Sequence, residues 1–144
     1  MKKLTLFKTV LAIVILFMVS SCKEELDGAW SPMKWKYENI SKGILIDKNN
    51  DNIKYQKEIY VTDSGELDIV CQNYKSFWFS QSPDMPLQEI DMHRFSNDFC
   101  NLTILDNTLH CEFYNIEALG SEEFNVIVTA GDIFYHFKFE INRN

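Results

Sequence analysis

The sequence predicts an all-β protein, a two-sheet antiparallel sandwich of about seven to eight short strands behind an N-terminal signal sequence. Apolar and polar residues alternate in short runs along most of the chain, which is typical of strands with one buried face. Turn-forming residues separate these runs at frequent intervals. A basic and then strongly apolar amino terminus sets the first residues apart from the sandwich.

The amino terminus has the pattern of a secretory signal peptide. Its basic residues are Lys2, Lys3 and Lys8. The apolar run 10–19 follows them, and it is too short to span a bilayer as a helix but has the length of a signal-peptide core. Small residues and then Cys22 come directly after this run.

The segment that ends at Cys22 resembles the lipobox of bacterial lipoproteins. The resemblance implies that residues 1–21 are a signal peptide, that cleavage falls before Cys22, and that acyl chains on this cysteine anchor the protein in a membrane. Several acyl chains give stable anchoring, at about 0.8 kcal/mol per buried methylene. Residues 22–29 are then a lipidated tether, and residues 30–144 form a single domain.

Three charged residues follow the predicted lipid anchor. Lys23, Glu24 and Glu25 resemble the export signal of surface lipoproteins in Bacteroidota. The resemblance implies an outer-membrane protein that faces the cell exterior. The alternative is a solvated tether that keeps the domain away from the membrane.

The excess of acidic residues argues against two classes of binding partner. Asp and Glu number 21 against 14 Lys and Arg, for a formal net charge of −7, and loss of a basic signal peptide makes the charge more negative. This charge argues against nucleic acid as a partner and against electrostatic docking to anionic lipid. Membrane attachment therefore depends on the acyl anchor at Cys22.

Three further cysteines, Cys71, Cys100 and Cys111, lie in phase with apolar neighbours. An odd number permits at most one disulfide among them, and an exported chain can oxidise a pair. The alternative is three small buried hydrophobic residues. Because no CxxC motif and no paired Cys/His spacing is present, the sequence predicts no zinc site.

Two hairpins are the most specific structural predictions. Residues 100–105 join 108–113 through a two-residue turn, and residues 124–130 join 133–141 through a Gly-Asp turn that fits type II′. Each turn places apolar residues opposite one another and polar residues on the other face. The predicted pairs are Ile104–Leu109, Leu102–Cys111, Cys100–Phe113, Val128–Tyr135, Val126–Phe137 and Phe124–Phe139.

Shorter runs predict the remaining strands. These runs are 35–37, 43–46, 53–62, 67–73 and 77–79. Residues 82–98 have no clear pattern, because Pro83 and Pro86 interrupt them. Within this segment, residues 87–95 fit either a helical turn or an edge strand.

The middle of the chain resembles the BACON domain, an immunoglobulin-like module of Bacteroidota surface proteins. Residues 61–73 carry a glycine turn, an alternating strand and Asn73, and Trp78 follows a few residues on. Residues 128–139 resemble the end of that domain. The resemblance implies an immunoglobulin-like sandwich and a carbohydrate or mucin ligand, but no shared binding residue carries over.

Aromatic side chains are the remaining functional signal. Trp30, Trp35, Tyr74 and Phe134 are the candidate ligand-binding residues, because sugar rings stack their C–H faces on exposed aromatic rings. Trp78 stands between two phenylalanines, and a core position is favoured for it. The alternative for Trp30 and Trp35 is that they cover a sheet edge.

The sequence therefore predicts a non-catalytic binding or adhesion module for glycan or mucin. The alternative is a structural or accessory subunit that docks onto a neighbouring surface protein. No GxSxG, HExxH or phosphate-binding glycine loop is present, and His110 and His136 fall on polar strand faces. We expect no enzymatic activity and no cofactor.

One spacing matches a calcium loop. Asp47, Asn49, Asp51 and Glu58 occupy positions one, three, five and twelve of an EF-hand pattern. The flanking residues indicate strands rather than helices. A plain hairpin turn is therefore favoured over a calcium site formed by Asp47, Asn49 and Asp51.

Overall fold

The computed structural model describes residues 31–48 and 55–143. The chain from Pro32 onward forms one compact unit. Several predicted features lie outside the described residues: the signal peptide, Cys22, Lys23, Glu24, Glu25, Trp30, Asn49 and Asp51. None of the described helices is long and apolar enough to cross a membrane.

The described chain is an all-β sandwich, as the alternating pattern predicts. Its strands are β1 (Trp35–Glu38), β2 (Ile44–Ile46), β3 (Gln56–Val61), β4 (Gly65–Cys71), β5 (Trp78–Ser80), β6 (Arg94–Ser96), β7 (Cys100–Leu105), β8 (Thr108–Phe113), β9 (Glu122–Ala130) and β10 (Ile133–Ile141). A short 3-10 helix at Ile116–Ala118 precedes β9. The predicted count of seven to eight strands is too low: the short runs at β1, β2 and β5 all form edge strands, and β6 adds another in the segment without a clear sequence pattern.

The strands form two five-stranded sheets. Sheet A has the order β1-β4-β8-β7-β6, and sheet B has the order β2-β3-β10-β9-β5. Every pair is antiparallel except β3 with β10, which is parallel. The predicted antiparallel sandwich is thus confirmed, with a parallel exception at this pair. A parallel pair needs a long crossover connection between its strands. The chain between β3 and β10 supplies this connection, and it also forms every strand of sheet A except β1.

Both predicted hairpins are confirmed in their register. In the β7–β8 hairpin Leu102 lies opposite Cys111, and in the β9–β10 hairpin Val126 lies opposite Phe137. The turns begin with Asp106 at φ 53° and Gly131 at φ 67°. Glycine adopts such a left-handed conformation without a steric cost, and aspartate tolerates it better than most residues.

The core lies between the two sheets and is built from the inward-facing residue of each alternating pair. In β10, buried positions 133, 135, 137, 139 and 141 alternate with more exposed ones. Burial of each large apolar side chain contributes about 1.5–3 kcal/mol. Lys57 is an exception, since it occupies the buried phase of β3 and is only 6% exposed.

Two glycines permit a close crossing where the chain moves between the sheets. A Cβ added at Gly43 would lie 2.4 Å from the Cβ of Asp63 and 2.7 Å from its backbone nitrogen. A Cβ at Gly65 would lie 2.4 Å from the Cβ of Ser41. Backbone hydrogen bonds join the same segments, with Thr62 N donating to Gly43 O at 2.8 Å. This crossing therefore requires residues without a side chain.

Candidate functional site

The outer face of sheet B carries two aromatic side chains in one register row, on either side of a threonine. Trp78 on β5 lies opposite Thr129 on β9, and Thr129 lies opposite Phe134 on β10. Phe134 is 51% exposed, whereas Thr129 between the two aromatic residues is 5% exposed. The Thr129 hydroxyl satisfies its hydrogen bonding within the β9–β10 turn, since it contacts the carbonyl oxygens of Gly131 and Ile133 at 2.7 and 3.1 Å.

A groove of about 480 Å³ opens beside Trp78, and we call it the Trp78 groove. Its lining residues are Trp78, Phe79, Ser80, Gln81, Leu87, Ile90 and Met92. Leu87 and Met92 are 66% and 56% exposed. The lining is mainly apolar, with one hydroxyl and one amide among it, which suits a ligand that has both apolar faces and hydrogen-bonding groups.

The wall of the groove opposite Trp78 is formed by Leu87, Ile90 and Met92, which lie in the segment 82–98 that has no clear sequence pattern. The backbone N–H of Phe79 donates to Met92 O at 2.8 Å, so this segment covers part of the β5 edge. A turn within the segment brings Glu89 N to Pro86 O at 2.9 Å. The aliphatic wall is thus set against Trp78 by backbone hydrogen bonds.

A polar network around Asn125 holds the start of the same segment on β9. The carboxylate of Asp84 accepts from the backbone and side-chain nitrogens of Asn125 at 2.7 and 2.9 Å. The Ser82 hydroxyl donates to Asn125 O at 2.7 Å, and His136 Nε2 lies 2.8 Å from Asn125 Oδ1. Burial lowers the pKa of His136, which keeps this imidazole neutral at neutral pH.

The outer face of sheet A is polar and charged. His110 on β8 lies opposite Asp68 on β4, and its Nδ1 is in close contact with the Asp68 carboxylate. The side-chain nitrogen of Asn39 donates to the other Asp68 oxygen at 2.6 Å. His110 Nε2 lies 3.3 Å from Glu112 Oε1.

These contacts shift both ionisable groups of the pair. The hydrogen bond to Asp68 raises the pKa of His110, and Glu112 adds to this effect. Burial opposes the charged form of Asp68, but the bonds from His110 and Asn39 hold the pKa of Asp68 below its ordinary value. The pair is therefore most stable with both partners charged.

The aromatic residues predicted from the sequence do not share one surface. Phe134 lies on the outer face of sheet B. Trp35 is partly buried and packs edge-on against the core residues Phe77 and Phe137, with ring-centroid distances of 5.2 and 5.0 Å. Tyr74 is also packed against the core, and burial raises its pKa.

Trp78 is the residue that sequence reasoning placed incorrectly. The sequence favours a core position for it, but its neighbours Phe77 and Phe79 are the buried residues, at 0% and 3% exposure. Since side chains alternate along a strand, Trp78 between them must face outward. That alternation is the signal that identifies Trp78 from the sequence, whereas Leu87 and Met92 lie in the segment that gave no signal.

The predicted calcium loop is described only in part. Asp47 N donates to Glu58 O at 3.1 Å, which continues the β2–β3 ladder. The Glu58 carboxylate accepts from the Tyr60 hydroxyl at 3.0 Å. Since Asn49 and Asp51 lie outside the described residues, the calcium arrangement stays untested.

The cysteines of the domain are buried thiols. Cys71, Cys100 and Cys111 are all free in the structure. Burial raises the pKa of Cys100 to about 12 and raises that of Cys111 well above its ordinary value. Thiols that stay protonated are poor nucleophiles and poor metal ligands.

The structure defines the chain as an all-β sandwich with an aromatic groove on one outer face. An NMR structure of a protein from Bacteroides thetaiotaomicron is similar to it, with a TM-score of 0.53 and 26% sequence identity over 78% of this chain and 90% of that chain. No family model matches the sequence, so the resemblance to the BACON domain stays a prediction. No curated protein matches the sequence either.

Proposed function

We propose that this chain is a lipid-anchored, non-catalytic binding module of the bacterial outer surface, and that it binds glycan in the Trp78 groove. The anchor is the acylated Cys22, and Lys23, Glu24 and Glu25 direct the protein to the cell exterior. The observation that carries the binding proposal is the outward-facing Trp78 in a groove that also contains Ser80 and Gln81.

The groove has the chemistry that a sugar ring requires. The C–H face of a pyranose stacks on an indole ring, and the Gln81 amide and Ser80 hydroxyl offer donors and acceptors for its hydroxyl groups. Phe134 lies in the same register row as Trp78 and adds a second exposed ring for a longer glycan. Such stacking gives modest affinity per site.

The same lining supports a non-catalytic role. The groove residues described above carry no titratable side chain, so these positions offer neither a general acid nor a general base. The titratable groups nearby, Asp84 and His136, are both hydrogen-bonded to Asn125. Asp84 and Ser82 use these bonds to hold the segment at 82–85 on β9.

A protein partner is the second candidate function. Leu87 and Met92 expose aliphatic surface on the far wall of the groove. A sugar gains little from aliphatic side chains, whereas apolar residues at the centre of a protein interface are buried on binding. In this alternative, the module is an accessory subunit of a neighbouring surface protein.

Glycan and mucin arrays probed with the intact protein in detergent test the proposal. We expect saturable binding that weakens at least about tenfold in Trp78→Ala, because the stacking surface is lost. Tyr55→Ala removes another aromatic residue that is 53% exposed but is not part of the groove, and it should bind as the native protein does.

Two outcomes contradict the glycan proposal. Equal binding by Trp78→Ala and the native protein would exclude the groove as the site. No binding across the arrays, together with crosslinks on intact cells that Leu87→Ser abolishes, would instead support a protein partner.

A further inference from the structure

Four side chains form a compact box on the outer face of sheet A, away from the Trp78 groove on sheet B. Glu66 on β4 lies opposite Glu112 on β8, and Asp68 lies opposite His110 one outward position further along the same strands. One ligand atom each from Glu66, His110 and Glu112 lies within 4.8 Å of the others. Two carboxylates directly opposite each other on neighbouring strands repel, so this register has a cost unless a cation lies between them.

The imidazole of His110 is oriented toward these carboxylates. Its Nδ1 contacts Asp68, and Asp68 is held in place by Asn39. Without a metal ion, the imidazolium donates from Nδ1 to Asp68 and from Nε2 to Glu112 Oε1, which lies 3.3 Å away. When Nε2 gives up its proton, its lone pair faces the same carboxylate oxygen. Two acceptor atoms at that separation require a proton or a metal ion between them.

The spacing fits a metal ion. Zinc binds histidine nitrogen and carboxylate oxygen at about 2.0–2.2 Å, so two ligands of a tetrahedral site are roughly 3.3–3.5 Å apart. The observed distance between His110 and Glu112 agrees with this value. Glu112 Oε2 accepts from Asn101 Nδ2 at 3.3 Å, which orients the carboxylate so that Oε1 faces the imidazole.

We propose that Glu66, His110 and Glu112 bind one divalent transition-metal ion, for which Zn²⁺ is the representative, on the outer face of sheet A. Water completes the coordination, because Glu66 is exposed and the site is open to solvent. Asp68 positions the imidazole through its Nδ1, in the carboxylate–histidine–metal arrangement that fixes the tautomer and raises ligand basicity. Asp68 is a positioning residue and does not coordinate the ion.

Isothermal titration of the intact, untagged protein with Zn²⁺ after treatment with a chelator tests this site. We expect one saturable site per chain, with affinity at least about tenfold lower in His110→Ala and in Glu112→Gln. Asp68→Asn should weaken binding by about tenfold without removing a ligand. The control is His93→Ala, which removes an exposed histidine outside the box and should leave the affinity unchanged.

Two readouts distinguish the metal from a proton on His110. Co²⁺ should give the visible absorption of an N/O-ligated site in the native protein, and this absorption should be lost in His110→Ala while the circular dichroism spectrum shows an intact fold. Nitrogen NMR should show that Nε2 loses its proton when Zn²⁺ is added. Zinc affinity unchanged in folded His110→Ala, or an Nε2 that keeps its proton at saturating Zn²⁺, would overturn the proposal.

Discussion

The two sheets have similar inner faces and very different outer faces. Inward, both present alternating apolar residues to a shared core. Outward, sheet A presents Asp68, His110 and the carboxylates around them, whereas sheet B presents Phe134 and, beside an aliphatic wall, Trp78. The inner residues of each strand form the shared core. The outer residues make the outer face of sheet A charged and that of sheet B apolar, so the two faces suit different kinds of ligand.

The two histidines show the same contrast. His110 on sheet A gains carboxylate partners that raise its pKa, whereas burial on sheet B lowers the pKa of His136. Both residues occupy an outward position of a polar strand face, as the sequence predicts. Their opposite behaviour comes from neighbours on other strands.

The largest effect should come from breaking the shared core. Phe137→Asp places a carboxylate at a position that is fully buried, in contact with the rings of Trp35 and Tyr135. An unpaired buried charge costs several kcal/mol, so we expect a loss of more than about 4 kcal/mol and an unfolded chain by circular dichroism.

The matched control is Phe134→Asp, the same substitution three residues earlier on the outer face. It should stay folded and melt within a few degrees of the native protein. Similar melting curves for the two variants would contradict the assigned inner and outer faces of β10.

The next effect concerns the crossing between the sheets. Gly43→Ala forces a methyl group against the backbone of Asp63, and we expect a loss of about 1–3 kcal/mol in urea unfolding. Gly120→Ala is the control, because its added Cβ meets nothing within 4 Å. An unchanged unfolding midpoint for Gly43→Ala would show that the two segments do not approach this closely.

A smaller effect depends on pH and concerns sheet B. The folded state resists protonation of His136, whereas the unfolded chain takes up the proton near the ordinary pKa of 6.5. The contribution of His136 to stability is therefore complete above this pH and is lost as the pH falls below it. Glu123 opposes this shift and Lys138 supports it.

His136→Gln removes this titration. We expect the stability of the variant, followed by urea unfolding between neutral and mildly acidic pH, to fall less steeply than that of the native protein. Asn125, which contacts His136 Nε2 through its side-chain oxygen, can still bond a glutamine side chain, so the fold should be kept. A steeper fall in the variant would mean that protonated His136 stabilises the folded state.

The smallest effect on stability should come from the groove wall. Leu87→Ser changes a side chain that is 66% exposed, and we expect a change within about 0.5 kcal/mol. Leu105→Ser, at a site 72% exposed on sheet A, should behave alike. The two variants should differ only in binding to a protein partner, which Leu87→Ser alone should weaken.

The local sequence pattern predicts the fold correctly where two strands that pair in a sheet also follow each other directly in the chain. The β7–β8 and β9–β10 registers follow from a two-residue turn and alternating apolar residues. The pairing of β10 with β3 does not follow in this way, because no turn connects these strands and nothing local specifies their parallel register.

The two candidate sites also depend on contacts between strands and segments that the local sequence pattern does not specify. The sequence places His110 on a polar face, but its convergence with Glu66 depends on the pairing of β4 with β8, which are distant in sequence. The Trp78 groove needs the segment at 82–98, where prolines and scattered apolar residues give no periodic signal. Only β6 within this segment forms a regular strand, as an edge strand of sheet A.

The parallel pairing of β10 with β3 also determines when the domain can fold. Strand β10 lies between β3 and β9 in sheet B, so an emerging chain has no complete second sheet until β10 has been synthesised. Contacts between residues so distant in sequence form slowly, because a long loop must close first. The central strand of sheet B is therefore the last one available to a growing chain, and its insertion between β3 and β9 would be the step that commits the described domain to the native state.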